Sequence, residues 1–354
     1  MKIRRLAAFS LLLLACVAAS FTYWFYRELH TPLAHSHSAQ YVDIPRGSTP
    51  DNIIARLGTI NVIGRAWPLR LYVRFTGAGS RLKAGEYRFA SPISPLGVLR
   101  KLEEGQQRLA RFTVIEGWTR WDIAAAIARI PELKLSNAEE ALSLMNDTSG
   151  IRDLDADAEN LEGYLYPDTY SFPPDTTARE MIATMVKRFR QVWRDELEAP
   201  KSLPSHKTPR EIVTVASLVE TEAKLKDERP LVASVIYNRL KLGMSLGIDS
   251  TVIYAAKLAG KWRNDGKVYQ SDLDRNSPYN TRKVHGLPPG PIAASGARSL
   301  AAALRPAETD FLYYVREPSR NDGMHNFYKN EADFQKGVQA LRIWERERDA
   351  LGNN

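Results

Sequence analysis

The sequence predicts an α+β protein behind one N-terminal membrane helix, with a small mixed module followed by a larger, mostly helical domain. Three observations carry this reading. Residues 6–26 run for 21 positions without a charge. Strand–turn–helix patterns begin near Tyr41 and again near Thr113. From Ala178 onward, apolar stripes at helical spacing dominate.

The chain has 354 residues, enough for about two domains. With 44% hydrophobic and 25% charged residues, its composition excludes wholesale disorder and a many-span membrane protein. Basic side chains number 49 against 41 acidic, and the net +8 is too diffuse to indicate nucleic acid, so none is expected as a partner. Cys16 is the only cysteine, which rules out an intrachain disulfide and a cysteine-based zinc site.

Lys2, Arg4 and Arg5 precede the apolar run Leu6 to Tyr26. As a helix, that run reaches roughly 30 Å, the thickness of a bilayer's hydrocarbon core. Tyr23, Trp24 and Tyr26 fall at its far end, where amphipathic rings favour headgroups. The basic residues place segment 1–5 in the cytoplasm and the chain after the span outside it. A cleaved signal peptide would have a shorter apolar core, and Ala18-Ala19-Ser20 is a poor cleavage site. A lipoprotein site at Leu13-Leu14-Ala15-Cys16 is disfavoured because the chain stays apolar beyond Cys16. An uncleaved anchor over 6–26 is expected, then a linker over 27–40 whose His35 and His37 lack a third metal ligand.

The first module, with a connecting segment behind it, is expected over 41–160. Tyr41 to Pro45 reads as a strand, Gly47 as a turn, and Ser48-Thr49 as the cap of a helix through Ile53, Ile54 and Leu57. Thr113 to Glu116 repeats the strand, Gly117 the turn, and Thr119 with Asp122 the helix start. Between them Leu82 to Phe89 alternates like a strand, and Pro95 to Glu104 forms a helix ended by Gly105.

From about Leu161 the character changes, and a second domain is expected over 161–345 with a tail over 346–354. The aromatic stretch Leu161 to Tyr170 suits either a sugar-stacking groove or a packed loop. Ala178 to Glu198 is a long amphipathic helix with Met181, Ile182, Met185, Phe189, Val192 and Trp193 inward. Thr208-Pro209-Arg210-Glu211 starts the next helix, with apolar Ile212, Val215, Ala216, Val219 and Ala223 at helical spacing. At 100° per residue Glu220 and Glu222 lie on opposite flanks of that stripe, where burial raises a carboxyl's pKa as a general acid requires. The alternative is that one or both pair with Arg229 or Lys224.

Downstream, Asp227 to Leu242 is a helix containing Asn238 and Arg239, closed by Gly243. Asp249-Ser250-Thr251 opens another helix, which Asp249 is placed to cap. Tyr279-Asn280-Thr281 and the rigid loop Gly286 to Ile292, with Pro288 and Gly290, offer polar groups beside fixed backbone. Gly243-Met244-Ser245-Leu246-Gly247 matches a serine-hydrolase elbow, but a helix precedes it where that motif needs a strand.

Taken together, Ala216-Ser217-Leu218-Val219-Glu220-Thr221-Glu222, Val232 to Leu240, Gly243-Met244, Asp249 to Tyr254, Tyr279-Asn280-Thr281 and Gly286 to Ile292 closely resemble the endolytic murein transglycosylases, the MltG or YceG-like family. Leu82 to Phe89, Glu116-Gly117 and Glu162 to Thr169 match as well, so the resemblance runs from the anchor to about Val338. It implies a single-pass inner-membrane protein with a LysM-like module and a periplasmic catalytic domain. Such a protein cleaves nascent glycan strands internally and limits their length; candidate partners are peptidoglycan strands and peptidoglycan synthases.

The resemblance maps the catalytic glutamate onto Glu220. It gives substrate contacts to Glu222, Asn238, Arg239, Asp249, Thr251, Tyr279, Asn280, Thr281, Pro288, Gly290 and His325. The chain departs from the family at Ser250, where Pro is usual, near Ile248, where Gln is usual, and at Phe334, where a later His falls.

The chemistry implied needs one carboxyl group and no metal or cofactor. Protonated Glu220 would donate to the glycosidic oxygen between N-acetylmuramic acid and N-acetylglucosamine, then take the proton of the muramyl C6 hydroxyl as it closes onto C1, leaving a 1,6-anhydro end. A hydrolytic glycosidase would instead use Glu220 with Asp249 or Glu222 and leave reducing ends. A non-catalytic scaffold would only bind strands.

Overall fold

The computed structural model describes residues 2–105, 109–133, 135–173, 176–198, 207–320 and 322–352. The chain forms two units, Met1–Arg111 with Ser171–Thr176, and Phe112–Tyr170 with Thr177–Asn354.

In the first unit, α1 (Lys2–His30) contains a stretch, Phe9–His30, long and apolar enough to cross a membrane. Its last turns join the unit: Leu29 is buried, and Trp24 stacks on Trp67 at 5.3 Å. After β1 (Val42–Ile44) come α2 (Pro50–Thr59), α3 (Ala66–Thr76), β2 (Gly85–Tyr87) and α4 (Pro95–Glu104). The Thr49 hydroxyl accepts the Asn52 N–H at 3.3 Å and Pro50 opens the first turn, which fixes where α2 begins. Strands β1 and β2 pair antiparallel, with Val42 opposite Tyr87 and Ile44 opposite Gly85. Alternation along β1 buries Val42 and Ile44 and exposes Asp43, so the pair lays one face on Ile54, Leu57, Ile63 and Phe89.

The chain crosses between units at β3 (Ala110–Thr113) and β4 (Thr169–Phe172). The strand expected over 113–116 therefore lies earlier. Backbone beyond it turns to another partner, because the Gly117 N–H bonds Ala294 O at 2.8 Å and the Ala294 N–H bonds Trp118 O at 2.7 Å. Next follow α5 (Arg120–Ala128), started by a Thr119–Asp122 capping box, and α6 (Ala138–Leu144). Residues 112–160, within the stretch expected to hold the first module and its connecting segment, cluster with the second unit. The Glu162 carboxylate accepts the first N–H of α5 at 3.1 Å, and the Leu161 N–H bonds Met145 O at 2.8 Å. Of the two readings for 161–170, the packed loop is the one found, since Tyr164, Tyr166 and Tyr170 are all buried.

The remaining elements are α7 (Ala178–Glu198), α8 (Pro209–Glu222), α9 (Arg229–Lys241), α10 (Asp249–Leu258), the single turn α11 (Gln270–Leu273), α12 (Ala297–Leu304), the hairpin β5 (Tyr313–Arg316) and β6 (His325–Tyr328), and α13 (Glu331–Gly352). The stripe read on α7 is buried throughout. On α8 burial goes further than a stripe: every residue from Ile212 to Val219 is enclosed, Thr214 and Ser217 included. Their hydroxyls bond carbonyls one turn back, Arg210 O and Thr214 O, so polar groups sit inside the core at little cost. The tail expected over 346–354 is helical through Gly352, and 353–354 lie outside the described residues.

Gly163 ties this scaffold together. Its φ is +80°, and a Cβ there would lie 2.4 Å from the Pro291 side chain. Gly163→Ala therefore combines left-handed strain with overpacking and should cost about 2–4 kcal/mol, read as a lower melting temperature. An unchanged melting point would contradict this placement.

Candidate active site

Helix α8 delivers two carboxylates to different surroundings. With 3.6 residues per turn, Glu220 and Glu222 project about 200° apart.

Glu220 is bound on all sides. Arg229 Nη2 donates to Oε1 at 2.8 Å and Nη1 to Oε2 at 3.0 Å, while the Gly296 N–H, just ahead of α12, donates to Oε2 at 2.9 Å. The two side chains are 3% and 8% exposed. Arg229 also donates to Ser299 Oγ at 2.8 Å, and Glu116 approaches it at 3.6 Å. The pair thus joins α8, α9 and α12, and every donor aimed at Glu220 suits a carboxylate. The pairing with Arg229, open as an alternative from sequence, is the one found.

Glu222 is the last residue of α8 and lines a cavity of about 430 Å³ in the second unit. Tyr314 donates its hydroxyl to Glu222 Oε2 at 2.9 Å. Burial pushes the Glu222 carboxyl above the usual range and the Asp249 charge adds to this, against the Tyr314 hydrogen bond, the His325 charge and the Ser250 hydroxyl, which favour the anion. The carbonyl end of α8 also opposes an anion there. A raised carboxyl alone does not mark a site. Glu162, pushed up to about 7 by burial, only caps α5 and accepts the Tyr254 hydroxyl.

Arg239, Asp249, Arg282, Tyr314 and Phe334 share the cavity wall with Glu222. Asp249 does not cap α10, whose N-cap is Ile248; it accepts Arg282 Nη2 at 2.6 Å. Arg239 spends its donors on backbone, with Nε to Leu312 O at 2.6 Å and Nη1 to Leu246 O at 2.8 Å, and burial lowers its pKa. Those bonds hold the two loops that frame the cavity. Of the departures from the family pattern, Ser250 bonds Thr221 Oγ1 at 2.8 Å and Phe334 stacks on Tyr313 at 4.9 Å.

The other expected contacts stand behind the wall or away from it. Thr251 and Thr281 are fully buried and bond each other at 2.9 Å, and Asn280, equally buried, donates to Leu273 O and Arg275 O. Asn238 donates to Thr309 O and Phe311 O. Tyr279 and Gly290 gather around Arg210, which donates to the O of Pro289, the residue after Pro288, at 2.7 Å and would sit 3.3 Å from a Cβ on Gly290. That is the far end of α8, about 18 Å along its axis from Glu222. His325 is held by Glu228 and packs edge-on to Tyr314 at 5.3 Å. Tyr314, Glu228 and Arg282 carried no motif in the sequence. Only the apolar run Phe311 to Val315, flanked by charges, could have marked a strand bearing Tyr314.

Fold and site together describe a single desolvated acid at a cavity wall on a mainly helical α+β scaffold. The chain belongs to the YceG-like family, whose model matches residues 42–340. It is 35% identical over 317 residues to a Bacillus subtilis protein named endolytic murein transglycosylase, covering 84% of this chain and 83% of that one. A Streptococcus pneumoniae protein of the same name is 28% identical over 328 residues, covering 86% of this chain and 59% of that longer protein. The crystal structure of a yceG-like protein from Listeria monocytogenes aligns with a TM-score of 0.54 and 33% identity, covering 84% of this chain and 98% of that one.

Glu220→Gln should break the buried pair and cost about 3–5 kcal/mol, because Arg229 is left without its counter-charge. The melting temperature should drop by roughly 10 °C. A melting curve identical to the parent would show that the pair does not brace the three helices.

Proposed function

We propose that this protein is a peptidoglycan lytic transglycosylase in which Glu222, rather than Glu220, is the acid. One observation carries the choice: of the two glutamates in the last turn of α8, only Glu222 faces the cavity, where burial pushes its carboxyl above the usual range. The names of the Bacillus and Streptococcus relatives support the reaction class.

Protonated Glu222 gives its proton to the oxygen joining muramyl C1 to C4 of the next sugar. The C1–O bond breaks and that sugar leaves as an alcohol. The muramyl C6 hydroxyl then attacks C1, its proton passes to the Glu222 carboxylate, and the acid is restored. No water is consumed, and the new end is a 1,6-anhydro ring. Cleavage within nascent strands would limit their length. Asp249 on the same wall favours a second reading, hydrolysis with a water held between two carboxylates, although Arg282 already engages it.

The order β1–α2–α3–β2, with its two strands paired, supports a LysM-like module that holds the glycan. Lys2, Arg4 and Arg5 ahead of the apolar run support an inner-membrane anchor with its N-terminus cytoplasmic and the rest periplasmic, where peptidoglycan synthases are candidate partners.

Glu222→Gln should lower turnover on purified glycan strands by about 10²–10⁴-fold with the melting temperature kept, while Glu220→Gln, assayed below its lowered melting point, still cleaves. Mass spectrometry should find ends lighter by one water than reducing ends; reducing ends would establish hydrolysis, and no new ends a binding scaffold. Because the acid form is competent, kcat/KM should fall as pH rises through the raised Glu222 carboxyl. Tyr314→Phe removes a donor that favours the anion, so this alkaline limb should move to higher pH. Movement to lower pH would contradict the assignment.

A further inference from the structure

Behind the acid lies a second polar pair that the reaction as derived does not use. Glu228, at the entrance to α9, is buried, and its two oxygens are both directed at His325 on β6. The His325 backbone N–H donates to Oε1 at 2.6 Å, and Nδ1 lies 2.9 Å from Oε2. A carboxylate only accepts, so Nδ1 carries a proton and the ring's orientation and tautomer are fixed. The side chains of His325 and Glu228 are 15% and 6% exposed. A buried pair of this kind adds little net stability compared with apolar packing, which leaves the geometry it imposes as its main consequence.

That geometry leads to the acid. In the β5–β6 ladder, Tyr314 is opposite Phe327 and Arg316 opposite His325, so Tyr314 and His325 are diagonal neighbours on one face. Their rings meet edge to face at 5.3 Å, an arrangement that fixes the tyrosine plane. Tyr314 then donates to Glu222 Oε2 at 2.9 Å. The contacts form a line across three elements: Glu228, His325, Tyr314, Glu222. While its ring is protonated, His325 also adds positive charge near Glu222.

We propose that His325, clamped by Glu228, is a positioning residue that acts through Tyr314 to hold the Glu222 carboxyl at the cavity wall and to govern its proton. The inference rests on Glu222 being the acid. The charged and titratable groups around the line are Glu222 from α8, Glu228 from the entrance to α9, Arg239 from α9, Asp249 from α10, Arg282 from the loop beyond α11, and Tyr314 and Arg316 from β5.

The test is the pH dependence of kcat/KM for the full-length protein in detergent on purified glycan strands. His325→Asn keeps a donor where Nδ1 stood but removes the ring and its charge. The alkaline midpoint should rise by about one unit, since the anion loses both a charge and a well-held donor. His325→Phe, which keeps ring packing without charge, serves if the first variant fails to fold and should move the midpoint the same way. In a Tyr314→Phe background the shift caused by His325→Asn should shrink, because the intermediary is gone. An unmoved midpoint in a folded variant, or the same shift in both backgrounds, overturns the positioning role. Glu222→Gln separates this from the reading beneath it. If that variant stays active, the acid assignment falls and the inference with it; if it is inactive while His325 variants leave the midpoint unmoved, only the positioning role falls.

Discussion

The constraint on which the site depends is the angular separation of two glutamates in the last turn of one buried helix. α8 is enclosed all round from Ile212 to Val219, so the core sets its rotation about its own axis and no surface freedom remains to adjust it. Two residues apart means about 200° apart. Glu220 must then face α9 and α12, and Glu222 must face the β5–β6 hairpin and the cavity. One acid meets a guanidinium and a backbone N–H, the other meets a phenol and little water. Chemically identical side chains become a brace and the proposed proton donor by position alone.

The two roles support each other. The Glu220–Arg229 pair fixes α9 and α12 against α8, and α9 carries both Arg229, which closes that brace, and Arg239, whose guanidinium holds the 245–246 and 312 carbonyls around the cavity. The cavity that leaves Glu222 desolvated is thus framed by groups anchored on the same helix as the brace. Polar residues that looked like ligands in the sequence, Asn280, Thr281 and Thr251 among them, have spent their hydrogen bonds on this framework.

Much of the fold was legible because local chemistry dictates it. Thr49, Thr119 and Thr208 start helices by accepting N–H groups, and the apolar spacing of α7 is its inward face. The helical period also showed that Glu220 and Glu222 diverge. Which one reaches a cavity was not legible, because that depends on Arg229, Gly296 and Tyr314, brought in from α9, the α12 entrance and β5. The same limit explains the aromatic stretch 161–170, where a groove and a packed loop share one composition, and Asp249, which pairs with Arg282 across a loop instead of capping its own helix.

The most direct test follows the side-chain carboxyl carbons of ¹³C-labelled glutamate by NMR titration, assigned by comparing the parent with Glu222→Gln. The signal lost in that variant should titrate above the ordinary carboxylate range in the parent. Titration of that carbon within the ordinary range would contradict the account, since a carboxyl that has already given up its proton cannot serve as the acid.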